Sequence, residues 1–455
     1  MRSTRPPRLS RGAAPAVLAA TVVLAYVNAL GGAFQFDDYN VIVHNPTVHS
    51  LSAWLHSMPG IRPLLKLSYT LNWMVHSGPF GFHVFNIAVH AVNTVLVYRL
   101  LCALGRESTT CGWAPFVGAL LFALHPVQTE AVTYVSGRSV SLMALFYLSS
   151  ALVWLYADRV PDATPWRMLS AGLFAAALLV KETAITLPFA LLLLDAVRAP
   201  QRRTMRAAVR RQGWHWLVLG AGFVLIAVSP TYRKFLETGL STRGAFDNLL
   251  TQANAIWYLM GELLLPWRVN VDPDLPVIST LSPAVALQMF AIAALIALGL
   301  RNVHRRTWLA FAILWFFVHL APTNSLLARL DVANDRQLYL ASIGMFYAVG
   351  VVVRALLERT NRRMLVAAVA GVMLAALGLA TILRNQTYAS QVAFWQDAAA
   401  KSPSKARVAN NLGYAYQQEG RFEAARAEYE RAIALDATYW KARINLEALE
   451  ASRGR

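Results

Sequence analysis

"RSTRPPRLSRGAAPAVLAATVVLAYVNALGGAFQFDDYN", residues 2–40, runs from a basic head through an apolar stretch of helical length to two adjacent carboxylates, Asp37 and Asp38. That order decides the fold. An apolar helix suits a bilayer because it satisfies its own backbone groups, and arginines ahead of it hold that end on the cytoplasmic side. The acidic pair then emerges on the far side. A cleaved signal peptide would share the basic head and apolar run, but many further spans follow, so a retained first helix is expected.

The rest of the chain repeats the pattern. Of 455 residues, 56% are hydrophobic and only 15% charged, more apolar length than a soluble core requires. The net charge of +18 gathers in short connectors: Arg2, Arg5, Arg8 and Arg11; Arg198, Arg202, Arg203, Arg206, Arg210 and Arg211; Arg301, Arg305 and Arg306; Arg354, Arg359, Arg362 and Arg363. None is interleaved with aromatics as a base-stacking surface would be, so they read as positive-inside anchors and argue against nucleic acid as a partner.

Spans are expected near 13–30, 82–104, 113–124, 138–156, 168–180, 184–197, 213–229, 283–300, 307–320, 338–356 and 364–383. That makes about eleven crossings of an all-α, polytopic membrane helix bundle, and an odd count puts the C-terminus outside. Leu249–Trp267 is also apolar, but counting it would turn the Arg301–Arg306 connector outward. It is therefore read as re-entrant or interfacial. Several runs fall short of the roughly 20 residues of a full crossing, which implies a polar cavity opening outward. Cys102 and Cys111 flank a cytoplasmic turn in this topology, where free thiols are expected.

After Leu383 the composition turns soluble and charged. In "ANNLGYAYQQEGRFEAARAEYERAIALDA", Leu412, Gly413, Tyr416, Gly420, Ala425, Tyr429 and Ala432 hold the register of the 34-residue tetratricopeptide pattern, with Ala437 in place of its closing proline. Trp395, Ala398 and Pro403 fit the end of a degenerate preceding repeat, and 440–452 a closing helix. The expected division is a membrane domain over 1–385 and an extracytoplasmic tetratricopeptide-repeat domain over 386–455. So few repeats bury little area, so the tail should lean on the membrane domain, as a cap or as a peptide-binding groove.

The external side collects Asp37, Asp38, Arg62, His83, His125, Glu130, Arg138, Lys181, Glu182, Asp272, Asp335 and Arg336, nearly all at expected helix ends, where a charge is costly unless hydrated, paired or used. His83, Asn86 and His90 share a helix face; the histidines read as interhelical hydrogen-bonding partners before metal ligands. A helix-end Arg or Lys is most often an interfacial anchor. The acidic pair differs, because adjacent carboxylates repel one another and gain nothing from packing. For Asp37 and Asp38 a functional role is the better reading.

A resemblance enters here. "FQFDDYNVIVHNP", "RPLLKLSYTLNW", "GFHVFNIAVHAVNTVLV", "LFALHPVQTEAVTYVSGRSVSLMALFYLSSALVWLY", "KETAITLPFALLLLD" and "DRQLYLASIG" occur in the same order as in the transmembrane and tetratricopeptide-repeat containing O-mannosyltransferases and their bacterial relatives, which the chain resembles over nearly its whole length. The resemblance implies the type C glycosyltransferase architecture, a polyprenyl-phosphate-linked sugar (mannose or a related hexose) as donor, and transfer with inversion at the anomeric carbon. The chemistry of the inventory agrees with it. A hydroxyl acceptor needs a carboxylate to take its proton, and Asp37 or Asp38 can do so. A departing lipid phosphate needs cations, which Arg62, Arg138, Lys181 and Arg336 are placed to supply. The expected substrate-binding set is completed by His83, Asn86, His125, Glu130, Glu182, Asp335 and Tyr339.

No cofactor is assigned. A divalent metal stays open, with Asp37 and Asp38 as its ligands if there is one, although two carboxylates make only about a third of a six-oxygen shell. The expected partners are the bilayer, the lipid-linked sugar and a protein acceptor met through the tail, with Ser/Thr hydroxyls as the sites modified. Arginine-rich, alanine-rich composition suggests a bacterial inner membrane with a periplasmic site, or an endoplasmic-reticulum membrane with a lumenal site if the source is eukaryotic. Two rival classes fit less well: a non-catalytic scaffold that docks a partner through its tail leaves the external acids and bases without a role, and a transporter would carry an internal repeat, which the sequence does not show.

Overall fold

The computed structural model describes residues 13–58, 60–105, 112–198, 204–325 and 328–453. Arg2, Arg5, Arg8, Arg11, Arg202, Arg203 and Cys111 lie outside them. Among the described residues every regular element is a helix. Six are long and apolar enough to cross a bilayer: Ala13–Gly31, Pro79–Leu104, Val135–Ala157, Pro283–Asn302, Asp335–Arg359 and Arg363–Gln386. Trp113–Leu124, Thr164–Val180 and Thr307–Leu320 are apolar but shorter, and Leu187–Arg198 and Gly213–Val228 complete the expected set. The chain is a multi-pass membrane protein of helix-bundle form.

Two segments show why pattern alone misplaces breaks. Gly213–Val228 stops at Ser229 and turns by 83° into the helix that begins at Pro230. Proline disfavours helical backbone at the residue before it, and Ser229 is extended (φ −83°, ψ 117°). Leu249–Trp267, expected to be re-entrant or interfacial, falls mostly within one unbroken helix, Ala245–Leu264, followed by the turn Pro266–Arg268. The helix buries Asn248, Thr251, Gln252 and Glu262 and is not among the six membrane-length helices.

Packing follows the small residues. Leu338–Arg359 lies against Trp113–Leu124 and Thr307–Leu320. A Cβ at Gly350 would stand 2.2 Å from the Ala114 carbonyl oxygen, and one at Gly344 2.6 Å from that of Ala312. Glycine thus lets these backbones touch, which matters in a bilayer because lipid tails are as apolar as leucine and close van der Waals contact must drive association. Arg363–Gln386 and Pro283–Asn302 bury few of their residues, leaving broad apolar faces for lipid.

Alternate helix ends converge at one end of the bundle. Asn385 donates to the Ala25 carbonyl oxygen at 2.9 Å, and Asn28 to that of Ile382 at 2.7 Å, tying the C-terminal ends of the first and last membrane-length helices together. The acidic stretch leaves the first of these helices, and the soluble tail leaves the last. Cys102, near the C-terminus of Pro79–Leu104, is in a disulfide, and Cys111 is the chain's other cysteine. The expectation of free thiols is corrected. It rested on compartment alone, whereas Pro79–Leu104 and Trp113–Leu124 pack side by side.

The tail consists of helices Gln391–Lys401, Ala406–Gln418, Phe422–Leu435 and Trp440–Arg453. Its own core is made of Leu412, Ala425 and Tyr429, with Gly413 leaving room for the Tyr429 ring 2.8 Å from where a Cβ would stand. It is also fastened to the bundle. Arg407 donates to Asp331 and to Asp272, both at 2.8 Å, Lys405 donates to the Pro273 carbonyl oxygen at 2.8 Å, and Lys401 to that of Val269 at 2.8 Å.

Candidate active site

The acidic stretch opens where the first helix ends, and the two aspartates part ways. Asp38 is fully buried. Its Oδ2 accepts the Gln35 N–H at 2.9 Å, and its Oδ1 accepts the Ser136 N–H at 2.8 Å and the Ser136 hydroxyl. Burial nonetheless pushes its carboxyl up to about 7. Asp37 is only half-buried. Its N–H donates to the Tyr134 hydroxyl at 3.0 Å, and burial raises its carboxyl, opposed by the nearby Arg336 guanidinium and by a hydrogen bond with Tyr134. Phe36, just before the pair, has φ +32°, a strained value for a residue with a Cβ, and its ring meets Trp395 of the tail edge-on at 5.3 Å. Gln35 reaches the Tyr388 carbonyl oxygen at 3.0 Å. The tail therefore helps to shape the loop that carries the acids.

Beneath this loop runs 125–138. His125 caps the turn at Pro126–Gln128, accepting the Val127 N–H on Nδ1 at 3.2 Å, and burial pushes its imidazole down to about 4. Glu130 is buried; Oε2 accepts the Arg336 N–H at 2.9 Å and Oε1 lies 3.2 Å from Arg336 Nε. Burial raises its carboxyl, and Arg336 opposes the shift. Gly137 makes the turn into the helix starting at Arg138 possible, since a Cβ there would lie 2.0 Å from the Glu130 carbonyl oxygen.

Arg138 is fully buried and occupied. It donates to Asn86 Oδ1 (2.7 Å), Asn72 Oδ1 (2.7 Å) and the carbonyl oxygens of Ser68 and Phe82 (both 3.1 Å), and sits 4.3 Å from the Phe85 ring centroid. Asn86 spends its amide nitrogen on the Val132 and Val135 carbonyl oxygens. Together they brace the 125–138 loop.

The cations gather in a pocket walled by Lys181, Arg329, Arg336, His319, Asn334 and Gln337 among others, with no carboxylate among its described lining residues. Lys181 donates to Ser139 Oγ at 3.3 Å. Burial, and then the neighbouring Arg336, Arg62 and Arg329, push its ammonium well below the ordinary lysine value. At the side of the pocket Arg62, held at φ +54° at the start of the Pro63–Val75 helix, grips Glu182 through Nε (2.9 Å) and Nη2 (2.8 Å). Burial would raise the Glu182 carboxyl, but Arg62 outweighs it and holds the group below its usual range.

The structure thus brings Asp37, Glu130, Lys181 and Arg336 together, with Arg62 and Glu182 beside them. It does not bring Arg138, Asn86, His83 or Tyr339 to the pocket. His83 Nε2 donates to the Gly32 carbonyl oxygen at 3.2 Å, and Tyr339 lies within the bundle, accepting from Asn93 at 3.0 Å and 2.8 Å from His90 Nδ1. Asp335 is buried behind Arg336, accepting the Asn270 N–H at 3.4 Å and facing Glu262.

The tetratricopeptide-repeat family model matches residues 406–439. The chain is 27% identical over 483 residues to the human protein O-mannosyl-transferase TMTC4, covering 90% of this chain and 64% of that protein. It is 34% identical over 264 residues to Drosophila melanogaster protein O-mannosyl-transferase Tmtc2, covering 53% and 27%. Its homologues are protein O-mannosyl-transferases. The chain spans just under two thirds of the length of the human homologue. Among solved structures, the oligosaccharyltransferase of Archaeoglobus fulgidus in its apo form is similar at 13% identity with a TM-score of 0.47, covering 83% of this chain and 55% of that one.

Sequence reasoning missed Arg329, His319, Asn334 and Gln337. Three lie in the connection 321–337, and their only signal was proximity in sequence to Asp335 and Arg336; His319 was hidden in an apolar helix. Among the described residues no group of three or more His, Cys, Asp or Glu is disposed to hold a metal ion. Both Asp38 oxygens accept N–H or O–H donors.

Proposed function

We propose that the chain is a membrane glycosyltransferase of type C architecture that moves a hexose from a polyprenyl-phosphate donor to a hydroxyl acceptor, with inversion, on the extracytoplasmic face. The observation that carries this reading is the pairing of a pocket walled by Lys181, Arg329 and Arg336 with a half-buried carboxylate, Asp37, in the field of one of those cations. Lys181, Arg329 and Arg336 hold the donor phosphate, and the polyprenyl tail stays in the bilayer. Asp37 takes the proton from the acceptor hydroxyl as its oxygen bonds to the anomeric carbon. The bond from that carbon to the phosphate oxygen breaks on the opposite face, and the growing phosphate charge is met by donors already in place.

Glu130 keeps Arg336 aimed at the phosphate, and Asp38 positions the loop that carries Asp37. The division at about residue 385, with the tail extracytoplasmic, belongs to the same reading: the tail adjoins the acidic loop, where a protein acceptor carrying Ser/Thr hydroxyls would arrive. The names of the homologues support mannose as the sugar. Membranes holding the protein, supplied with radiolabelled polyprenyl-phosphate mannose, should build label into an acid-stable glycoside whose anomeric configuration is opposite to the donor's. Release of free sugar only, or no label transfer above control membranes, would refute the proposal.

A further inference from the structure

The pocket contains polar side chains that a phosphate alone does not satisfy. His319 Nδ1 lies 2.7 Å from the Trp315 carbonyl oxygen. A carbonyl can only accept, so Nδ1 carries the proton and Nε2 presents a lone pair, and that Nε2 is buried without a partner among the described residues. Asn334 is 3% exposed, yet among the described residues neither its Oδ1 nor its Nδ2 has a partner, and Gln337 leaves Oε1 and Nε2 in the same condition. All three wall the pocket beside Lys181 and Arg336.

Buried polar side chains are nearly always hydrogen-bonded, so three unmet ones in one pocket mark a ligand. Its chemistry can be narrowed. An ionised phosphate offers acceptors only and can satisfy neither an imidazole lone pair nor an amide oxygen; a hydroxyl group both donates and accepts and can satisfy each of them. We propose that His319, Asn334 and Gln337 form a hydroxyl-reading subsite that recognises the hexose ring attached to the donor phosphate. The inference rests on the polyprenyl-phosphate reading above and adds the residues that select the sugar. Moving one ring hydroxyl to its epimeric position would leave a buried acceptor unmet, the arrangement that discriminates best between similar substrates.

The test compares two probes on the purified full chain in detergent: polyprenyl phosphate, and the same lipid carrying mannose. Wild type should bind the mannosylated lipid more tightly. His319→Phe and Asn334→Ala should each weaken the mannosylated lipid by about three- to tenfold, the loss of one neutral hydrogen bond, with bare polyprenyl phosphate unchanged within about twofold. His319→Gln, which keeps an acceptor, should recover part of the loss, and Lys181→Gln should weaken both lipids. Gln337→Leu gives a second arm should a buried variant fail to fold. Equal weakening of both lipids, or of neither, overturns the subsite while leaving the phosphate reading intact. Failure of wild type to bind either lipid overturns the donor reading and the subsite with it.

Discussion

Ser136 donates its backbone N–H, at 2.8 Å, and its hydroxyl to the same oxygen of Asp38, across 98 positions of sequence. This pins the acidic loop to the turn that starts the Arg138 helix, and it separates the work of two neighbouring aspartates. Burial raises the Asp38 carboxyl to about 7. A folded value above the unfolded one means that the folded chain holds the proton more tightly. The stability it contributes is therefore complete below about pH 4 and lost as pH climbs through about 7. Asp38→Asn, uncharged throughout, should show a flatter thermal-unfolding midpoint between about pH 4 and 8 than wild type. Parallel profiles would show that Asp38 is not the buried titrating group described.

Lys181 is crowded by the Arg336, Arg62 and Arg329 guanidinium groups, which together with burial outweigh the Glu182 carboxylate. Lys181→Gln and Arg329→Gln should each raise the donor KM or lower kcat by the equivalent of about 1.5–3 kcal/mol, the strength of a hydrogen bond to a charged group. Because the Lys181 ammonium loses its proton more readily than an ordinary lysine, donor affinity should decline with rising pH below the normal lysine range, and Lys181→Gln should abolish that decline. Transfer rate against donor concentration at several pH values is the measurement; unaltered donor dependence in both variants would place the phosphate elsewhere.

Arg138 should behave as a brace. Arg138→Lys keeps a charge but loses the planar fork, stranding the Asn72 and Asn86 oxygens, and should cost at least about 2–3 kcal/mol of stability. Thermal unfolding in detergent reads this directly, with Lys181→Gln as a stable control. A normally stable Arg138→Lys protein with weakened donor binding would instead make Arg138 a phosphate ligand.

Topology gives an independent check. Cysteines introduced at Ser57, at the end of the Leu51–His56 helix, and at Ser404, in the tail, should react with an impermeant thiol reagent added outside, and one at Thr204 should not. Protection of Ser404 would turn the tail, and the site it adjoins, to the cytoplasmic side.

Much of the fold was legible because a bilayer demands long apolar helices and leaves them visible in the sequence, and because the small residues of the repeat, such as Gly413 against Tyr429, sit at fixed spacing. The division of labour between Asp37 and Asp38 was not legible, since it depends on Ser136. Arg138 and Lys181 looked alike as helix-end cations, and only Asn72 and Asn86, brought up from other helices, distinguish a brace from a pocket wall. Arg329 lay in a connection where no period marks a side chain, and His319 was masked by the apolar residues around it. The unbroken Ala245–Leu264 helix and the Cys102 disulfide follow from tertiary neighbours that charge rules and compartment arguments ignore.

The central claim is that Asp37 takes the proton of the acceptor. Asp37→Asn keeps the size of the side chain and removes its basicity, so kcat at saturating polyprenyl-phosphate mannose, with folded protein quantified, tests it most directly. The account predicts a fall of about 10²–10⁴-fold with donor affinity and unfolding temperature near those of wild type. Near-normal turnover by folded Asp37→Asn protein would contradict it.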